Sequence, residues 1–264
     1  MTGETQDGER QTGRTIISVG GADRRGFLQG LVTNDVDRLD DGLVYAALLT
    51  PQGKYLADFF LVPDGDRILI DVATPLAADL FKRLRMYKLR ADVALDEAAE
   101  MAVFRGLGTP PEGAFADPRD PSLGWRRYGP AEDGDRAGVD WDALRVAACV
   151  PESGVELVPG ETFILEAGFD RLGGVDFRKG CYVGQEVTAR MRHKTQLRKG
   201  LATVAVEGDA APGTEIRAAD GRPAGTLHTV AGGRAIAFLR FDRATGPMEA
   251  GAARVTWSPR TEDA

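Results

Sequence analysis

The residues with the most chemical content lie in one string, Lys179-Gly180-Cys181-Tyr182-Val183-Gly184-Gln185-Glu186. Between Arg178 and Lys199 stand seven cations (Arg178, Lys179, Arg190, Arg192, Lys194, Arg198, Lys199) and one acid, Glu186, in a chain of net charge -7. Three readings of this basic run are open. It is a solvated face opposed by acids from elsewhere in the fold, an anion site for a small molecule carrying carboxylates, or a contact for nucleic acid or an acidic partner. Val183, Val187 and Met191 recur at four-residue spacing and predict a helix just after Cys181. A thiol shortly before a helix N-terminus, two residues from Lys179, is favoured as thiolate by both the dipole and the cations. The alternative is a buried cysteine acting as a small hydrophobe. Cys149, in the apolar run Val146–Val150, reads as core. Gly180 and Gly184 suggest a sharp turn or a close backbone approach beside Cys181.

Composition narrows the classes. With two cysteines and two histidines (His193, His228), and no CxxC or His/Cys cluster, a permanently bound metal is not expected. A disulfide between Cys149 and Cys181 is left open, although few cysteines read as a reducing compartment and a cytoplasmic location. No GxGxxG, P-loop or Ser-His-Asp arrangement is present. No apolar run approaches the roughly 18 residues of a membrane span, so no membrane partner is expected. The net charge argues against a globally basic nucleic-acid binder. The first 13 residues are polar, lack a signal-peptide core and read as a disordered tail.

These side chains need elements to hold them. Ala22–Val32 reads as a helix with Asp23 near its start and Phe27, Leu28, Leu31 and Val32 on one face. Leu43–Thr50 and Tyr55–Val62 read as strands of a hairpin turned by Pro51-Gln52-Gly53, and Pro63-Asp64-Gly65 leads to a third strand, Arg67–Val72. Thr74 reads as the cap of a helix with Pro75 at its first position, running to about Tyr87. Leu89–Leu95 and Met101–Leu107 are further strand candidates. Thr109–Gly138 reads as loop-rich, and Asp142–Val150 as a helix ended by Pro151. Beyond Lys199, the short runs Leu201–Val206, Thr214–Ala218, Gly225–Val230, Arg234–Leu239 and Arg254–Trp257 predict a small barrel. The expected division is a tail over 1–13, an α+β region of two interleaved subdomains over 14–199, and a barrel over 200–264.

The signature string resembles that of the YgfZ family of folate-binding proteins, relatives of the glycine cleavage T protein. Phe27-Leu28-Gln29-Gly30-Leu31-Val32-Thr33-Asn34-Asp35 is similar to the family's early helix and its exit. Leu49-Thr50-Pro51-Gln52-Gly53-Lys54, followed by Leu56-Ala57-Asp58-Phe59, resembles its hairpin. Glu166-Ala167 and Gly174-Val175-Asp176-Phe177 resemble the approach to the signature. The likeness runs from about Ile16 to Leu201.

The resemblance implies a T-protein-like α+β fold around a central folate site, followed by a β-barrel. It implies tetrahydrofolate or a derivative as cofactor, with Glu166 on the pterin ring and Asp58, Asn34, Tyr182, Gln185 and Arg190 as further folate positions. Cys181 and Lys179 are the implied working centre. The implied role is assembly or repair of iron–sulfur clusters, with client enzymes or assembly proteins as partners. Two departures matter. Ala57-Asp58 stands where T proteins have two adjacent acids, which disfavours conventional aminomethyl transfer, and Gly168 stands where family members often carry Asn. The competing functions are a folate-dependent aminomethyltransferase and a non-catalytic module using the 178–199 patch on RNA or protein. Tyr182 is the patch's one interleaved aromatic, so base stacking is poorly provided for.

Overall fold

The computed structural model describes residues 8–130, 138–193 and 197–259. Along the chain, a short strand β1 (Glu9–Arg10) precedes β2 (Arg14–Gly20), helix α1 (Arg24–Gln29), β3 (Val44–Leu49), β4 (Tyr55–Asp64), β5 (Arg67–Ala73), helix α2 (Thr74–Lys88) and β6 (Ala94–Glu97). Strands β2 to β6 form an antiparallel sheet in the order β3-β4-β5-β2-β6. Every residue of β3 is buried, because both faces of this sheet are covered. Alternation divides the apolar residues between two cores. Val44, Ala46 and Leu48 join Phe59, Leu61 and Ile70 under α1 and α2. Tyr45, Ala47 and Leu49 join Phe60, Ile164 and Phe169 on the opposite face.

A second sheet, in the order β1-β7-β9-β8, is built from β7 (Met101–Gly106), β8 (Phe115–Ala116) and β9 (Trp125–Pro130) together with β1. Helix α3 (Trp141–Ala148) and helix α4 (Gln185–His193) follow. Strands β10 (Lys199–Glu207), β11 (Glu215–Ala218), β12 (Pro223–Ala231), β13 (Arg234–Arg240), β14 (Met248–Ala250) and β15 (Ala253–Thr256) close a six-stranded barrel, with β15 pairing back onto β10. The fold class is thus α+β with a C-terminal barrel.

Several expectations are corrected. Residues 1–7 of the expected tail lie outside the described residues, but Glu9 and Arg10 pair with Arg105 and Phe104 of β7. Glu9 also accepts from Arg105 at 3.1 Å and from the Trp141 indole at 2.8 Å, which ties this stretch down. Helix α1 is shorter than Ala22–Val32, and the Asp23 carboxylate accepts the Asp92 N–H at 2.8 Å instead of capping it. Thr74 is the first helical residue, not the cap, and its hydroxyl pairs with that of Thr15. The strand expected at Leu89–Leu95 is displaced to Ala94–Glu97, because Leu89 leaves α2 with φ 44 and no strand partner. Strands β8 and β9 occupy part of the stretch read as loop, whose residues 131–137 lie outside the described ones.

The two sheets are joined by a buried ionic knot. Asp71 on β5, fully buried, accepts from Arg14 at 2.6 Å, Arg126 at 2.8 Å and the Tyr128 hydroxyl at 2.9 Å. Arg119 forks onto Asp117 at 2.9 and 2.7 Å beside it. Burial pushes the Asp71 carboxyl up, but Arg14 and Arg126 outweigh it and hold it below the ordinary range. A depressed folded-state pKa stabilises above the unfolded value of about 3.9 and loses that contribution as pH falls through the folded value. Replacing Asp71 by Asn leaves buried guanidinium uncompensated and should cost about 3–5 kcal/mol. Urea denaturation at neutral pH checks the loss, and acid titration of the variant should show a shallower fall in stability below about pH 4 than the native chain.

Candidate functional site

The signature string is fastened on both sides of Cys181. An Asx turn starts it: Asp176 Oδ1 accepts from the N–H groups of Arg178 at 2.6 Å and Lys179 at 3.1 Å. The buried Lys179 side chain then runs beneath the exit of α1, where Nζ donates to three backbone oxygens, Gln29 O at 2.8 Å, Val32 O at 2.6 Å and Asn34 O at 2.8 Å. Carbonyls at a helix end lack intrahelical donors, and an ammonium supplies three protons. Burial lowers the Lys179 pKa to about 8, against the attraction of Asp35, Asp176 and Asp37. The same exit strap is stitched to the approach segment. Thr33 Oγ1 donates to Gly174 O at 2.7 Å, and Asn34 Nδ2 donates to Tyr45 O at 2.8 Å and Gly173 O at 2.7 Å.

On the other side, Tyr182 is buried in the core of Tyr45 and Phe169, where burial pushes its phenol up to about 12. Gly184 has φ 84, and a Cβ there would stand 2.6 Å from Thr50 O and 3.1 Å from Gly53 Cα. Gly53 has φ 74 and would meet Val187 Cβ at 2.8 Å. The β3–β4 hairpin turn is therefore seated directly on the start of α4. Between these two fixtures Cys181 is free and exposed. Cys149 is in no disulfide and is buried, packed with Val146 and Ile236.

This geometry sorts the expected site residues. Lys179 Nζ is spent on the backbone of the exit strap and the Asn34 amide on Tyr45 O, Gly173 O and the Asp35 N–H, so the polar atoms of both are engaged within the fold. Gln185 opens α4 and reaches back to Gly180 O at 3.4 Å, while Arg190 is exposed on the same helix. Of the basic run, Arg192 stacks on Phe177 at 3.7 Å and Lys199 pairs with Glu166 at 3.4 Å; Lys194 lies outside the described residues. Val183 precedes α4 and packs on the core under α1 and α2, whereas Met191 packs on the core of Tyr45 and Phe169.

Asp58 and Glu166 line different cavities. Asp58 borders one of about 270 Å³ between the two sheets and α3, together with Arg14, Phe60, Arg105, Arg126 and Ser153. Its carboxylate accepts from Tyr55 at 2.7 Å, Ser153 at 2.5 Å and Tyr45 at 3.0 Å. Burial, reinforced by the Asp58 charge, pushes both tyrosine phenols well above their ordinary range. Glu166 borders a cleft of about 450 Å³ against the barrel, with Leu165, Arg171, Leu201, Phe241 and Trp257. The Phe241 and Trp257 rings stack with centroids 5.0 Å apart. Cys181 is not among the residues lining either cavity. The arginines of the first cavity went unread because they are scattered along the chain. The one local signal was Arg126, a cation between Trp125 and Tyr128 in a strand.

Comparison with known proteins settles the lineage. Residues 198–261 match the model of the CAF17 C-terminal β-barrel domain. The human mitochondrial iron–sulfur cluster assembly factor IBA57 is 31% identical over 90% of this chain and 79% of its own length. The chain belongs to the IBA57/CAF17 family. A mitochondrial IBA57 homolog from Pyricularia oryzae is 34% identical over 71% of the chain, and the chain spans about half (54%) of that protein's length. The crystal structure of glycine cleavage system aminomethyltransferase T from Bartonella henselae superposes with a TM-score of 0.72 at 14% identity, covering 94% of this chain and 84% of that one, which establishes a T-protein-like fold. The expected cytoplasmic location is overturned by the IBA57 relatives, which are named as mitochondrial.

In this IBA57/CAF17 chain the anchors should be separable from the thiol. Lys179→Met strands three carbonyls and should cost about 2–4 kcal/mol, read as a lower urea midpoint. Gly184→Ala adds both strain and a clash. It should lower stability by more than about 1 kcal/mol and change the rate at which Cys181 is alkylated under native conditions. An unchanged rate in a folded Gly184→Ala chain would show that the hairpin contact does not position the thiol.

Proposed function

We propose that this chain is an accessory factor for iron–sulfur cluster assembly, working through the Cys181 thiol and binding a reduced folate in the cleft at Glu166. The observation that carries the reading is the presentation of Cys181, which is exposed between two buried fixtures one residue or a few residues away. A thiol held this way meets a partner without prior ordering of its loop, so little conformational entropy is lost on docking. The IBA57 relatives, named as assembly factors, support the same direction. An iron–sulfur cluster ordinarily takes four cysteine ligands, so a cluster handled here is cargo whose remaining ligands come from a partner protein. In that encounter Cys181 supplies one sulfur, as a ligand or as a transient adduct.

The cleft fits a folate in its chemistry. Glu166 is a carboxylate able to accept two N–H donors from a pterin edge, and the Phe241 and Trp257 rings offer an aromatic wall. Lys199, paired with Glu166 beside the cleft, offers a cation to a glutamate tail, whereas Arg171 is held by the carbonyls of Ala148 and Cys149. A bound folate would supply one-carbon chemistry or a redox-active pterin. The residues of this chain would orient it and exclude water around the ring. Aminomethyl transfer draws no support from Asp58, whose oxygens already accept from three hydroxyls.

Two measurements test the two halves separately. Cys181→Ser, introduced into a strain lacking the gene, should fail to restore activity of cluster-dependent enzymes; restoration to the native level would remove the thiol from the function. Calorimetric titration with tetrahydrofolate should show binding that Glu166→Ala weakens about tenfold or more, as expected for loss of a charged hydrogen-bonding partner. Equal affinity in the variant would place folate elsewhere.

A further inference from the structure

Helix α2 buries only one face. Ala77, Leu80 and Leu84 lie against the sheet, and the opposite face at its C-terminal end is turned to solvent. That end carries Lys82, Arg83, Arg85, Lys88 and, just beyond the helix, Arg90, with no acid between Leu80 and Ala91. Among the described residues none of these five cations is ion-paired or hydrogen-bonded through its side chain. In their midst Met86 is 67% exposed, Tyr87 39% and Leu89 87%, three of the five large exposed hydrophobics of the described chain. Met86 lies on the last turn of α2 and Leu89 directly after it, so the exposed apolar residues are clustered at the helix end.

Leu89 carries a second observation. Its backbone has φ 44 and ψ -106, a conformation that side-chain-bearing residues rarely adopt, and the chain places there a leucine with almost no contact to the fold. Glycine would relieve the strain. A strained, protruding apolar residue is better explained by what it meets outside the protein than by anything it does within it.

We propose that the end of α2 is a docking surface for an anionic lipid bilayer, with Met86, Tyr87 and Leu89 entering the interface and the five cations lying among the headgroup phosphates. The shape favours a bilayer over a macromolecular pocket. Met86, Tyr87 and Leu89 line none of the described cavities. Lys82, Arg83, Arg85 and Lys88 are spread round α2 by its 100° step per residue instead of converging on one point, as a continuous charged plane requires. Lysine is depleted at protein–protein interfaces, and the tip has Tyr87 alone for base stacking. In a chain of net charge -7 the local excess also orients the molecule toward such a plane. Among the described residues no helix is long and apolar enough to cross a membrane, which does not bear on this, since peripheral docking needs none.

The test is flotation of the full chain with vesicles of phosphatidylcholine, alone or with about one part in three phosphatidylserine. Binding is expected to the anionic vesicles at low salt, to weaken with added salt and to be absent on neutral vesicles. Neutralising a cation, as in Arg85→Gln or Lys88→Gln, should reduce the partition coefficient roughly fivefold each. Leu89→Gly separates docking from folding: the chain should melt at a higher temperature while binding vesicles less. No flotation with anionic vesicles, or flotation undiminished in these variants, overturns the proposal. So does retention of polyglutamate or single-stranded RNA through the same cations in a chain that ignores vesicles.

Discussion

An ammonium ion placed under a helix exit governs this molecule's working region. Lys179 can remain buried and charged only while three carbonyls converge on it, and those carbonyls come from Gln29, Val32 and Asn34, some 150 residues earlier in the chain. That demand sets where α1 must end and which way the strap after it must turn. It also sets how the approach to the signature must lie against the strap, through the bonds of Thr33 and Asn34 to Gly174 and Gly173. Charge, helix termination and chain crossing are thus settled together. The thiol two residues on inherits its position from that settlement, without touching the ammonium.

The ionic knot around Asp71 plays the matching part at the other end of the first sheet. It crosses from β5 to β9 beside the core that the two sheets share, where Val103 packs with Tyr45, Phe60 and Leu69, while the second sheet keeps a small core of Ala102, Phe104 and Trp125 on its other side chains. A barrel closed on itself, with no open edge to offer, completes the architecture. Between these units run the two cavities, and their separation has a chemical meaning. Glu166 lines one of them and Cys181 lines neither, so any influence between these two side chains must pass through the protein or through a partner.

Much of this was legible in the chain. Apolar-rich runs in Leu43–Thr50 and Tyr55–Val62, punctuated by Pro51-Gln52-Gly53, located the hairpin, and Pro75 located the start of α2. The barrel showed itself as short apolar runs between glycines, although β14, three residues long, passed unread. What failed did so for physical reasons. Strand β9 sits in a Pro-, Gly- and Asp-rich neighbourhood and contains two arginines, so neither propensity nor pattern announced it. Strand β1 is held by an edge pairing and one glutamate, which leave no periodic trace. At the site, Gly184 signalled close approach correctly, whereas a Cβ at Gly180 would meet nothing within 4 Å. Lys179 was misread, because sequence reports that a cation exists and not where it points. Within a run of seven cations a buried lysine looks like a member of a field.

The seating of the hairpin turn on Gly184 has a consequence for how this chain can vary. Surface turns usually absorb extra residues at small thermodynamic cost, since loop-closure entropy grows only slowly with length. This one touches its neighbour backbone to backbone, with Val187 against Gly53 and Thr50 against Gly184, so an added residue would lift the start of α4 and carry Cys181 with it. The turn is a ruler rather than a connector, intolerant of insertion although it lies at the periphery of the sheet.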